Sequence, residues 1–409
     1  MKQRMLVCLV ALLAFPLPAL ADDTLPGEHL IGEYLAAKTD AARDGILEKL
    51  KSFDPLSDES VEKYKELILA KLKEGSKYSG KNPATAGHPR FPIKYALQQN
   101  EGEGKKSLFI FMHGGGASAK VNQEQWIVSG KRYRNDLFGI AAYPRVLDDT
   151  SDVGWWEESG WGSFHALLDE LIRSFDVDTN RVYLGGVSMG GWGAFGIGTA
   201  EADRFAAIYA EAGAFNPQYC RLANLYHTPI AILVGEKDTT ADHAFFCRKA
   251  DEFLGKFQTK EGGGYERNYR QLKGAGHVLP QDIPPELLKW VAQHKRDPYP
   301  RKVIWEHVDH WKGKTIFYWL KVKEHEAGMR VVAELKDGNA IAVQSAKVTG
   351  VLTLFLNKRM IDFDKPVVVT LNGEERFKGK VVQSLSVILE TLAAKNDPEM
   401  FFTTRIDIK

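Results

Sequence analysis

Gly186-Val187-Ser188-Met189-Gly190 fits G-x-S-x-G, the turn that presents a serine hydroxyl as a nucleophile. A serine becomes a useful nucleophile only when a base takes its proton and an acid holds that base. In chain order such an arrangement runs serine, then Asp or Glu, then His. Asp238 follows the apolar run IAILV in IAILVGEKD, and His277 sits in the glycine-flexed segment KGAGHVLP, so both fall in that order. Asp242 is the reserve acid, while His227 and His243 fall outside the expected loop and read as structural or exposed. The stretch FIFMHGGGASA adds a fourth part. Its glycines Gly114, Gly115 and Gly116, with the N–H of Met189, form an expected oxyanion hole, and His113 orients the loop.

A competing reading starts five residues later. Gly191-Trp192-Gly193-Ala194-Phe195-Gly196 fits G-x-G-x-x-G, and Glu211 lies about 20 residues on, where a dinucleotide fingerprint wants an acid. That fingerprint needs its first glycine directly after a strand. Here the strand RVYL ends at Gly185-Gly186, so Gly191, Gly193 and Gly196 belong to the following helix. The serine reading is preferred, and it requires no cofactor.

These residues need a scaffold, and the hydropathy pattern describes one. Residues 28–74 read as helical; over 58–73, Val61, Tyr64, Leu67, Ile68 and Leu72 recur at helical spacing, as in a hairpin packed on the main domain. From about 91 to 295, short apolar runs (107–112, 138–143, 182–184, 205–209, 230–234) alternate with helical stretches such as 164–175. Runs apolar throughout suit strands covered on both faces, so this is an α/β region with a mostly parallel sheet and helices on both faces. After Pro298 and Pro300, β-type runs follow at 315–323, 330–335, 341–345, 351–356, 367–371 and 377–382, then a helix around 385–392 and a last run at 404–408. Asp337-Gly338-Asn339 and Asn372-Gly373 supply hairpin turns. The expected organisation is a leader over 1–21, a helical segment over 22–82, the α/β domain over 83–298, and an antiparallel, sandwich-like β domain over 299–409.

The leader follows from Lys2 and Arg4, the apolar run 5–20 and Ala19-Leu20-Ala21, a basic start and A-x-A site typical of export signals. The run is too short, and too rich in proline, for a membrane anchor. Its removal takes out two cations and no acid, moving the formal charge from +1 to −1. A near-neutral chain gives no electrostatic reason to expect nucleic acid or an anionic membrane as partner. A secreted or periplasmic location leaves Cys220 and Cys247 either bridged or as two buried thiols. Neither has histidines at zinc spacing, so no metal is expected.

With FMHGGG (111–116), VDTNRVYLGGVSMGG (177–191), VGEKD (234–238) and GAGH (274–277), residues 91–295 resemble an α/β-hydrolase. The resemblance is to the polyhydroxybutyrate-depolymerase and feruloyl-esterase-like branch of secreted esterases. More loosely, the region is similar to prolyl-oligopeptidase-type peptidases. The resemblance implies an eight-stranded hydrolase sheet, no cofactor, an ester substrate, and the roles given above to Ser188, Asp238 and His277. The region from 302 to 373 resembles a C-terminal β domain carried by certain secreted hydrolases, which implies architecture and not substrate. Trp155, Trp156 and Trp161 lie on a loop leaving the catalytic end of the sheet, where an aromatic wall would meet substrate. Trp305, Trp311 and Trp319 read as core in preference to a carbohydrate platform. The rival from another class is a non-catalytic binding protein on a hydrolase fold.

Overall fold

The computed structural model describes residues 25–76, 78–87, 90–100, 102–115, 126–131, 133, 136–146, 154–280, 284–311 and 313–409. The leader expected over 1–21 and the oxyanion candidate Gly116 lie outside the described residues. Eight strands form the main sheet: β1 (Ala84–Ala86), β2 (Ile93–Gln99), β3 (Lys106–Met112), β4 (Ile140–Pro144), β5 (Val177–Val187), β6 (Ala207–Glu211), β7 (Ile230–Gly235) and β8 (Arg267–Leu272). Their order is β1-β2-β4-β3-β5-β6-β7-β8. From β4 to β8 all neighbours are parallel, and β2 joins β4 antiparallel. An eight-stranded, mostly parallel sheet is what the α/β-hydrolase resemblance implies.

The run SLFIFM shows why it forms. Successive side chains of a strand face opposite ways. Leu108, Ile110 and Met112 therefore enter one core with Phe164, Leu167 and Leu171 of the helix Glu158–Ser174, while Phe109 and Phe111 enter the other with Leu287, Leu288 and Val291 of Pro284–Ala292. β8 (RNYRQL) is partly exposed along its whole length, a charged edge strand that blunts pairing with other chains.

Beyond residue 300 two sheets form, one of β10 (Ile316–Phe317), β11 (Leu320–Val322), β14 (Leu352–Leu356) and β17 (Thr404–Ile408), the other of β9 (Lys302–Glu306), β12 (His325–Lys336), β13 (Ala340–Val348), β15 (Val367–Leu371) and β16 (Glu374–Gly379). Both predicted hairpin turns are present. Asn372 and Gly373 take φ of 53° and 90°, the left-handed pair that matches the twist of a two-residue hairpin. One expectation needs correction: the second sheet is not wholly antiparallel. β14 leaves for the other sheet, so the chain returns to lay β15 parallel to β13. Trp305, Trp311 and Trp319 are buried in the same apolar core as the main sheet's first face.

The N-terminal helices also differ from expectation. Glu28–Ala36, Asp40–Leu50 and Asp58–Glu74 do not bury their apolar stripe mainly on the α/β sheet. Leu30, Ile31, Leu50 and Ile68 share a core with Leu385, Ile388, Leu389 and Leu392 of the C-terminal helix Leu385–Lys395. The two ends of the chain thus hold each other. The bridged alternative for the cysteines is also not what the structure contains: Cys220 and Cys247 are separate buried thiols, with Cys247 Sγ donating to the Gly213 carbonyl at 3.2 Å.

Candidate active site

Ser188 stands between β5 and the helix Met189–Ala200, with φ 55° and ψ −116°. A non-glycine residue in that region is strained, and the surroundings must hold it there. They do so on three sides. The Ser188 N–H donates to the Glu211 carbonyl at 2.8 Å, and Trp192 N–H donates to the Ser188 carbonyl at 3.0 Å. A Cβ on Gly186 would meet the Gly190 carbonyl at 2.2 Å, and one on Gly190 would meet the Met112 carbonyl at 2.0 Å. Only glycines flanking the serine allow so tight a turn. Gly191 and Gly193 lie inside the helix, and Glu211 accepts hydrogen bonds from Tyr133 and Tyr209 hydroxyls, so neither is arranged for a dinucleotide.

The structure brings the three predicted residues together. His277 Nε2 lies 3.1 Å from Ser188 Oγ, and His277 Nδ1 lies 2.9 Å from Asp238 Oδ2. The loop of the acid and the loop of the histidine are tied: Lys237 N–H donates to the Ala275 carbonyl, and Gly274 N–H to Glu236. Asp238 is 2% exposed, and Thr240 N–H donates to its Oδ1 at 3.1 Å. Burial works against its ionisation, but the hydrogen bond from His277 and the nearby imidazoles outweigh this, and its carboxyl is held below the usual carboxylate range. The reserve acid Asp242 instead sits at the start of the helix His243–Glu261 and faces solvent.

His243, read from the sequence as structural or exposed, is structural, and it supports the acid directly. It is 1% exposed, and its Nδ1 lies 3.3 Å from the same Asp238 Oδ2. Trp192 Nε1–H donates to His243 Nε2 at 2.8 Å. An indole nitrogen can only donate, so Nε2 must be the unprotonated nitrogen and Nδ1 carries the proton. Burial lowers the imidazole's pKa and keeps it neutral. Asp238 Oδ2 therefore accepts from two histidines. The only signal in the sequence was a histidine five residues after the acid, at the start of a helix.

At the oxyanion loop, Gly114 lies against the nucleophile: a Cβ there would come within 3.1 Å of Ser188 Cβ. His113 is fully buried; its Nδ1–H donates to the Gly114 carbonyl at 2.7 Å and its Nε2 accepts from Val146 N–H at 3.1 Å. Burial depresses its pKa to about 4, so it stays a neutral loop support. Met189 opens the helix behind Ser188, where backbone N–H groups have no intrahelical partner, and Gly115 follows Gly114 half-buried.

The three tryptophans separate. Trp155 is fully buried, donates to the His113 carbonyl at 3.1 Å and packs where a Cβ on Gly193 would be; it is a core residue, not part of a substrate wall. Trp161 stacks on Trp311 at 5.7 Å and joins the α/β region to the β sheets, so it too leaves the wall. Trp156 remains, half-buried, 5.5 Å from the Trp192 ring and 6.4 Å from Tyr219.

No family model matches the chain, and no curated protein matches its sequence. Among solved structures it is similar to a thermostable esterase, at 19% identity and TM-score 0.41, covering 52% of this chain and 62% of that one. It is also similar to an esterase of Pyrobaculum calidifontis (13% identity, TM-score 0.38, 58% and 91%) and to a ferulic acid esterase of the fungus Anaeromyces mucronatus (14%, TM-score 0.37, 54% and 92%).

Proposed function

We propose that this protein is a serine hydrolase that cleaves carboxylic esters through an acyl-enzyme. The observation that carries the reading is the continuous chain Ser188 Oγ, His277, Asp238, with the serine on a strained turn. His277 Nε2 takes the hydroxyl proton as Oγ attacks the ester carbonyl carbon. The carbonyl oxygen, now negative, is received by N–H groups of Met189 and the 114–116 loop. The C–O bond to the alcohol then breaks, and the leaving oxygen takes the proton from His277. Water repeats the sequence on the acyl-serine and releases the acid. Asp238 keeps the imidazole in the tautomer this requires and offsets its transient charge. Trp156, beside Trp192 and Tyr219, supports an aromatic surface for the acyl or alcohol group.

Ester is preferred to peptide on the motif resemblance, because the triad serves both. Action outside the cytoplasm rests on the leader-type residues 1–21. Among the described residues no helix is long and apolar enough to cross a membrane. The test is fluorophosphonate labelling together with turnover of p-nitrophenyl esters of graded chain length. Wild type should label and turn over, and Ser188→Ala should do neither. A folded wild-type protein that does not label would overturn the proposal.

A further inference from the structure

Among the described residues, the main site is one of two places where two histidines and an aspartate converge. The other lies in the C-terminal region: His307, just after β9, Asp309 two residues later, and His325 at the start of β12. Each offers a ligand atom within 4.8 Å of the others. The two clusters differ in where their protons are. At Asp238 both imidazoles point an N–H at Oδ2 and Thr240 N–H reaches Oδ1, so both carboxylate oxygens are answered. At Asp309 the hydrogen bonds run outward. His307 Nε2 lies 3.1 Å from the Lys314 carbonyl, and a carbonyl only accepts, so Nε2 carries the proton and Nδ1 is a bare lone pair. His325 Nδ1 lies 3.1 Å from the Glu326 carbonyl, which by the same reasoning leaves Nε2 unprotonated.

The bare His307 Nδ1 faces Asp309 Oδ1 at 3.7 Å, two acceptors with no hydrogen between them. Both atoms are buried and neither has a hydrogen-bond partner among the described residues, and His307 is 1% exposed. Protonating His307 would turn the contact into an ion pair. The other carboxylate oxygen, Asp309 Oδ2, is already held by Gly328 N–H and Arg221 Nη2, each at 3.3 Å. Two bare acceptors face each other here, and a ring nitrogen of His325 lies within 4.8 Å of the ligand atoms of both residues. A cation answers all three.

We infer that His307 Nδ1, Asp309 Oδ1 and His325 Nε2 bind a divalent transition-metal ion of the zinc class, with water completing a tetrahedron. Two imidazoles and a carboxylate suit Zn²⁺ and not the hard cations Mg²⁺ or Ca²⁺, which take oxygen ligands. Bonds of about 2.0–2.1 Å place tetrahedral ligand atoms roughly 3.3 Å apart, so the first pair needs to close by only a few tenths of an ångström. The outward hydrogen bonds to the carbonyls of Lys314 and Glu326 are the kind that fix the tautomer and aim of metal-bound histidines. The spacing H-x-D followed by a distant histidine involves no cysteine and lies apart from Cys220 and Cys247.

The ion would pin the segment 307–315 to β12. That segment also carries Trp311, whose Nε1–H donates to the Trp156 carbonyl at 3.0 Å, so the site is a staple between the β sheets and the aromatic side of the triad. The test is titration of chelator-stripped protein with Zn²⁺ against a chromophoric competitor, alongside thermal melts. One equivalent should bind to wild type and raise its melting temperature, and Mg²⁺ should do neither. His325→Ala, at a partly exposed position and with circular dichroism to establish its fold, should weaken Zn²⁺ binding by about 100-fold or more, beyond the 10–100-fold that outer-shell changes cost. His277→Ala should leave it unchanged. Zn²⁺ binding absent from folded wild type, persisting in His325→Ala, or lost in His277→Ala would each overturn the assignment.

Discussion

Asp238→Asn is nearly isosteric, yet the hydrogen bonds around this side chain leave an amide no acceptable orientation. The carboxylate receives two imidazole N–H groups on Oδ2 and the Thr240 N–H on Oδ1. An asparagine with its oxygen toward the histidines turns its NH₂ on the Thr240 donor. Flipped, it turns the NH₂ on both imidazoles. His243 cannot adapt, because Trp192 Nε1–H already occupies its Nε2. His277 can, by moving its proton to Nε2. That nitrogen then points a hydrogen at Ser188 Oγ and can no longer accept one. Loss of the correct tautomer in a serine triad costs on the order of 10⁴ in kcat, equivalent to about 5.4 kcal/mol of transition-state stabilisation. KM should change little, since the carboxylate does not touch the substrate. The assay is steady-state turnover of a short-chain p-nitrophenyl ester by wild type and Asp238→Asn, with circular dichroism to establish that the variant is folded. A folded Asp238→Asn within about tenfold of wild type would refute this account of the acid.

His243→Phe removes one of the two donors on Oδ2 and strands the Trp192 N–H; with roughly 1–2 kcal/mol of support lost, kcat/KM should fall about 5–30-fold, far less than for the acid itself. The acid's lowered pKa has a pH signature. A carboxyl depressed in the folded state stabilises the fold above its unfolded pKa of about 3.9 and loses that contribution as pH falls through the folded value. The stability gap between wild type and Asp238→Asn in urea titrations should therefore be widest near about pH 6 and narrow as pH falls below the unfolded value of about 3.9. Asp203 is buried against Lys314 and Lys395, with Tyr318 N–H on its second oxygen. Asp203→Ala leaves two buried ammonium groups short of a partner, and urea unfolding should show a loss of about 3–5 kcal/mol.

What could be read from the sequence was whatever local periodicity and local turn chemistry encode. Strands β3, β4, β6 and β7 are buried on both faces and so are apolar but for an end residue such as Lys106 or Glu211; Ser188 is announced by the glycines its backbone requires; Asp238 and His277 follow strands in a fixed order. β8 was not legible, because an edge strand left partly exposed along its whole length can be written RNYRQL. β1 and β2, short and alternating at the other edge, escaped for the same reason. The partner of the N-terminal helices was not legible either: the stripe on Asp58–Glu74 declares that a face is buried but not that its cover comes from residues 385–392. Trp155 was placed with its loop neighbours, and only the structure separates a ring packed against Gly193 from the half-buried ring of Trp156.

The same limit explains why one cluster of two histidines and an aspartate was anticipated and the other was not. Residue type and spacing name the groups, but chemistry is decided by where the hydrogens sit. A histidine that points its proton at a carboxylate holds a base ready to accept another from a serine. A histidine that spends its proton on a carbonyl behind it presents a lone pair forward, and two such rings around a carboxylate oxygen call for a cation. Trp192 and the carbonyls of Lys314 and Glu326 are the residues that set this difference, and none of them belongs to either constellation by sequence motif. Changing which way a ring nitrogen is protonated would therefore alter each site more than changing the residues that merely surround it. For Trp192→Phe, which frees His243 to swap tautomers and withdraw its proton from Asp238, the expected result is a several-fold fall in kcat/KM with unchanged Zn²⁺ uptake. Equal loss of both would mean the two clusters are not chemically independent.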